Sequence, residues 1–206
     1  MKNNCIKKLV FILSAGIMLF GCSKNDTKYY ADGQDKGIAI FSNTGNNLSS
    51  CFIAGKPWRT VARISSGFRF GTDYEVQINR QPATNAKDTL IIQWRGYYEA
   101  ERNNEGYLSL HLAVPANFTF RDLSALQGKR LSIESTNGFF ETGTHDFNRV
   151  NIKGKGNIYF QTARFDSVAV NTFTGNISGL FDADFGSFQI TKGRFDHFIS
   201  SAQIRL

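Results

Sequence analysis

Leu108, Leu110, Leu112 and Val114 fall at every second position, with Ser109 and His111 between them, and this run constrains the chain more than any other. A spacing of two places the four apolar side chains on one face of an extended strand and the polar pair on the other. At helical pitch the same residues would spiral around the axis and leave no face to bury. The alternation recurs at Tyr74, Val76 and Ile78, at Leu90, Ile92 and Trp94, at Ile158 and Phe160, and at Val168 and Val170. Near the end it returns at Ile177, Gly179, Phe181 and Ala183, then at Phe188 and Ile190, with Phe195 following. One packed face and one wet face is the pattern of antiparallel sheets.

Turn residues separate these runs: Gly55-Lys56-Pro57, Asn137-Gly138, Gly154-Lys155-Gly156 and Lys192-Gly193. Asn-Gly is a type I′ hairpin signal. The one helix candidate is short, with Asp122 capping Leu123 to Gln127 and Gly128 as its stop. The expected fold is all-β: an antiparallel β-sandwich or β-barrel of about ten short strands, with at most one short helix. Arg164-Phe165-Asp166, Leu180-Phe181-Asp182 and Arg194-Phe195-Asp196 share an x-Phe-Asp pattern. Their uneven spacing argues against a repeat array and for successive strands with Phe inward and Asp outward.

The N-terminus has a different character. Lys2, Lys7 and Lys8 precede an apolar run from Leu9 to Phe20, which is too short to span a bilayer and has the length of a signal core. Leu19-Phe20-Gly21-Cys22 follows, and it resembles a bacterial lipobox, in which the Cys thiol takes a diacylglycerol before cleavage on its N-terminal side. Phe20 departs from the small or β-branched residue usual there. The resemblance implies residues 1–21 as a lipoprotein signal peptide and Cys22 as the lipidated first residue of the mature chain. A lipoprotein with more than one acyl chain is anchored stably without a transmembrane helix. The polar stretch 22–36 then reads as the lipidated Cys and a tether, and 37–206 as a single all-β domain.

Charge and cysteines narrow the partners. The 24 basic residues exceed the 17 acidic ones, but three of the 24 lie in the signal segment and the rest are scattered. A nucleic-acid partner is not expected, because that needs a clustered basic stripe. The lipobox resemblance implies that Cys5 leaves with the signal and Cys22 is lipidated, which would leave Cys51 with no disulfide partner in the mature chain. Beside Phe52 and Ile53 it reads as a buried structural thiol.

Phe52-Ile53-Ala54-Gly55-Lys56-Pro57-Trp58 resembles the opening of a loose group of small, uncharacterised Bacteroidota lipoproteins. Ile177-Ser178-Gly179-Leu180-Phe181, followed by Ile190 to Asp196, is similar to their closing hairpin. The resemblance implies an outer-membrane, lipid-anchored protein on the periplasmic or surface face. It carries over no activity and no functional residues.

No constellation points to catalysis. His111, His145 and His197 show no metal-ligand spacing and read as surface or loop residues. Asp182-Ala183-Asp184-Phe185-Gly186 resembles half a calcium loop without its remaining ligands, and reads as a strand end entering a turn. No metal or cofactor is expected. Arg95 to Tyr107 joins two strong strands and reads as a loop carrying Tyr97, Tyr98 and Tyr107, whose faces suit a sugar ring or their own strands. The expectation is a non-enzymatic binding or interaction module, with a glycan or a protein as partner and the membrane reached through the lipid on Cys22. The alternative is an anchored hydrolase acting on glycan or another polymer through strand-borne carboxylates.

Overall fold

The computed structural model describes residues 32–60, 74–79, 87–98, 105–144, 152–169, 172–200 and 204–205. Residues 1–21, which the sequence reads as a signal peptide, Cys22, residues 99–104 of the expected Arg95–Tyr107 loop, His145 and Val170 lie outside the described residues. The strands are β1 (Leu48–Ile53), β2 (Lys56–Arg59), β3 (Tyr74–Asn79), β4 (Lys87–Tyr98), β5 (Glu105–Pro115), β6 (Arg130–Ile133), β7 (Gly138–Thr144), β8 (Ile152–Ala169), β9 (Thr172–Asp184), β10 (Gln189–Ser200) and β11 (Ile204–Arg205).

Of the two open architectures, the chain takes the barrel. Pairing runs β4-β2-β1-β10-β9-β8-β7-β5, and β5 returns to β4, closing an antiparallel barrel of eight strands. β3 lies beside β2 on the same edge of β4, and β6 lies beside β7 on the same edge of β8. The two-residue strand β11 runs parallel to β3.

The period-2 faces point as the sequence dictates. Leu90, Ile92, Trp94, Leu108, Leu110, Leu112 and Val114 are buried, as are Ile158, Phe160, Ile177, Phe181, Ile190 and Phe195. Eight strands enclose a bore that side chains fill or that holds one small ligand. Here aromatic rings fill it. Trp94 stacks on Phe181 with ring centres 5.2 Å apart, and Phe195 packs against Trp94 at 5.5 Å and edge-on to Phe160 at 5.9 Å.

Glycines make room for these rings. Phe195 stands opposite Gly179 and Phe181 opposite Gly193 in the β9–β10 ladder. A Cβ on either glycine would approach the facing ring to within 2.8 and 2.6 Å respectively. Trp58 covers Gly96, Phe185 covers Gly154 and Tyr107 covers Gly143 in the same way. This is why Gly154-Lys155-Gly156 is not the expected turn but part of β8. Lys192-Gly193 likewise is no turn: Lys192, at φ 52°, sits in a bulge inside β10. The Asn137-Gly138 signal does not make a hairpin either. Glu134 to Asn137 is a turn between β6 and β7, which run one after the other along β8. The turn expected at Gly55-Lys56-Pro57 shares only Gly55 with the observed one: Ala54-Gly55 joins β1 to β2 with both residues at positive φ, and Lys56 and Pro57 already pair with Ile53 and Phe52.

The expected helix is a 3-10 helix, Phe120–Leu126, and Asp122 lies inside it rather than before it. The Asp122 carboxylate accepts from the Thr119 N–H and hydroxyl at 2.8 and 2.7 Å, and Gly128 at φ 73° ends the turn. Phe120, Leu123 and Leu126 join the core.

Residues 32–46 form a strap across the outer face of β10 and β1. Ile38 and Ala39 are buried. The Ala39 N–H donates to Ser50 Oγ at 3.0 Å. The part of the expected tether from Asp32 to Lys36 is therefore docked on the barrel.

Candidate functional site

Outward side chains of β6, β8, β9 and β10 line a groove of about 590 Å³. The sheet register builds it. Arg130, Tyr159, Leu180 and Arg194 are successive cross-strand partners and make one row. Asn157 and Asp182, two residues further along their strands, make the second row, with Lys192 in the β10 bulge at its end. Asp35 of the strap closes one side.

The end beside the strap is an ionic clamp. Arg194 Nη1 donates to Asp32 Oδ2 at 2.6 Å and Nη2 to Asp35 Oδ2 at 2.5 Å, and Nη1 also reaches the Ala39 carbonyl at 2.8 Å. Lys192 Nζ donates to the other Asp35 oxygen. The backbone N–H of Asp35, then Arg194 and the N–H of Gln34, hold the Asp32 carboxyl down at about 2. Two residues on, Asp196 pins the rest of the strap. Its carboxylate accepts from the Ser42 hydroxyl at 2.5 Å and from the N–H groups of Thr44, Gly45 and Asn46 at 3.1, 2.8 and 3.1 Å. The Arg194-Phe195-Asp196 echo thus has divided roles: Phe195 faces the core as expected, and its neighbours hold the strap.

The far end is open. Tyr159 is half-buried and Leu180 is 40% exposed. The Arg130 guanidinium lies 5.8 Å from the Tyr159 ring centre. Asn157 Nδ2 donates to Asp182 Oδ1 at 3.0 Å. The groove therefore offers an apolar floor with donors and acceptors on its rim.

The tyrosines singled out in the sequence do not sit in one loop. Tyr97 and Tyr98 end β4, and Tyr107 is in β5. Tyr97 and Tyr107 are diagonal neighbours on the outer face, because Tyr107 pairs with Arg95. Tyr98 alternates to the other face and packs against the core. Tyr107 is only 9% exposed, covers Gly143 and donates its hydroxyl to Glu141 Oε1 at 3.2 Å. Alternation thus divides the three between two faces.

Two Ser–His contacts are present: one joins residues far apart in the sequence, and the other is the Ser109/His111 pair that alternation already puts on one strand face. Ser49 Oγ and His197 Nε2 lie 2.6 Å apart, and Ser109 Oγ and His111 Nε2 3.1 Å. Each resembles half a nucleophilic dyad, but Ser49, Ser109 and His197 are 1%, 2% and 0% exposed, so no substrate carbonyl reaches either hydroxyl. His197 is thus a core residue and not the expected surface histidine, and burial pushes its imidazole down to about 3. His111 keeps the outer face, stacked on Phe139 at 4.3 Å, and burial also lowers its pKa. Cys51 is buried, and burial pushes its thiol far up.

Each carboxylate of the groove has a side-chain partner. Asp35 is engaged by Arg194 and Lys192, and Asp182 by Asn157. Asp184 accepts from the Gly186 N–H at 2.8 Å where β9 enters the turn to β10. Among the described residues no group of three His, Cys, Asp or Glu side chains is placed to hold a metal ion. No described helix is long and apolar enough to cross a membrane. Lys153, Lys155, Asn157, Arg164 and Asp182 stand exposed on the wall around an apolar bore, the reverse of the facing that a membrane-spanning barrel needs.

No family model, no curated protein and no solved structure matches this chain.

Proposed function

We propose that this chain is a lipid-anchored lipoprotein of the bacterial outer membrane, tethered through Cys22, and that its barrel is a non-enzymatic binding module that works through the outer-wall groove. The observation that carries the binding half is the contrast between the filled bore and the open groove. A ligand has no room among Trp94, Phe160, Phe181 and Phe195, whereas the groove has the volume usual for ligand sites. The basic segment, the short apolar run and Leu19-Phe20-Gly21-Cys22 support the anchor. With the strap docked from Asp32, the ten residues from Cys22 to Ala31 extend at most about 33–36 Å, which keeps the groove close to the lipid surface.

The anchor is tested by Cys22→Ala in cells fed labelled palmitate. The wild-type chain takes up label and fractionates with membranes; the variant loses the label and keeps its signal peptide by intact mass. Unchanged labelling of the variant contradicts the anchor.

A further inference from the structure

We propose that the groove takes an uncharged sugar ring of an oligosaccharide; this rests on the groove being the binding surface. Charge gives the first argument. Arg194 and Lys192 are held by the protein's own Asp32 and Asp35, and Arg130 shares the open end with Asp182. The lining's Arg130, Lys192 and Arg194 are balanced by its Asp35 and Asp182 together with Asp32, which is outside the lining but paired with Arg194, so the charges offset one another. A phosphate or carboxylate would have to displace Asp32 or Asp35 from Arg194, breaking charge-assisted hydrogen bonds already made.

The arrangement of polar and apolar groups gives the second. Tyr159 and Leu180 are directly paired across β8 and β9 and form an apolar floor. Beside them the Asn157–Asp182 hydrogen bond fixes an amide and a carboxylate side by side, each with acceptor oxygen to spare, and Arg130 adds donors. A pyranose has an apolar face and a rim of hydroxyls that each donate and accept, and it matches such a floor and rim. The two rows lie two residues apart along the strands, about 6.6–6.8 Å, which is the width of a ring lying between them.

The test uses the full lipidated chain in detergent. Its probes are maltohexaose, cellohexaose and chitohexaose as neutral ligands and hexagalacturonate as an anionic one, read by saturation-transfer NMR and titration calorimetry. At least one neutral hexamer should bind. Tyr159→Ala should weaken it by about ten-fold or more, Tyr159→Phe should retain most of the affinity, and Tyr97→Ala should leave it unchanged. Melting curves check that each variant is folded. Absence of binding by all three neutral hexamers overturns the proposal. Binding of hexagalacturonate alone, lost in Tyr159→Ala, rejects the neutral sugar and leaves the groove standing. Neutral-hexamer binding that survives Tyr159→Ala rejects the groove itself.

Discussion

Phe181 of β9 faces Gly193 of β10 directly, and a Cβ on Gly193 would lie 2.6 Å from the Phe181 ring. The ring occupies the space that a side chain on the neighbouring strand would need. Gly193→Ala should therefore destabilise the barrel by about 1–3 kcal/mol, as overpacking does. Phe181→Ala leaves the opposite defect, a cavity under Trp94, and should cost about 3–5 kcal/mol. Because the two residues share one space, the double variant should lose less than the sum of the single losses. Urea titrations of the three variants measure this.

The Arg194 clamp should decide whether the strap stays on the barrel. Arg194→Ala removes the guanidinium that bridges Asp32 and Asp35 and leaves Asp35 only Lys192, so protease cutting between Asp32 and Asn46 should speed up while the barrel remains resistant. Removing Asp32 to Lys36 should do the same. Asp32 has a depressed pKa, so its contribution to docking is complete above its ordinary value of 3.8 and is lost as pH falls through about 2. Equal cutting of wild type and Arg194→Ala at neutral pH contradicts this role.

Stability should fall with acid well before that range, because of His197. Its imidazole titrates near 6.5 when unfolded and near 3 when buried against Ser49. Above 6.5 both states hold it neutral and it adds no pH dependence. As pH falls below 6.5 the unfolded state gains a proton that the folded state refuses, and stability drops by about 1.4 kcal/mol per pH unit until the folded value is reached. His111, also lowered by burial, adds in the same direction. Unfolding free energies measured from pH 7 to pH 4 should slope accordingly, and His197→Gln should flatten most of the slope.

The tyrosines separate by burial. Tyr107→Ala removes a ring packed over Gly143 and its hydrogen bond to Glu141, and should cost about 3–5 kcal/mol. Tyr97→Ala, on the half-exposed end of β4, should stay within about 1 kcal/mol. Chemical denaturation of the two variants distinguishes them.

The inward faces were legible from the chain because alternation reports them locally: Leu108 to Val114 and Leu90 to Trp94 are buried where a period of two puts them. The glycines misled because one residue type serves two purposes. Gly154 and Gly193 break no strand, and the rings that cover them come from elsewhere in the chain, Phe185 just after β9 and Phe181 within it. His197 carried a usable signal, since it follows Phe195 by two and shares its inward face. The groove carried none. Its rows join residues of four strands, and register between distant strands is not written in either strand's own pattern. The partners of Arg194 likewise lie more than 150 residues away.

Photo-crosslinking in intact cells compares the two surfaces directly. p-Benzoylphenylalanine replaces Leu180 in the groove, or Tyr97 on the far wall, of the lipidated chain. Irradiation should give an adduct of defined mass from position 180 and none from position 97. An adduct from position 97 with none from 180 would contradict the assignment of binding to the groove.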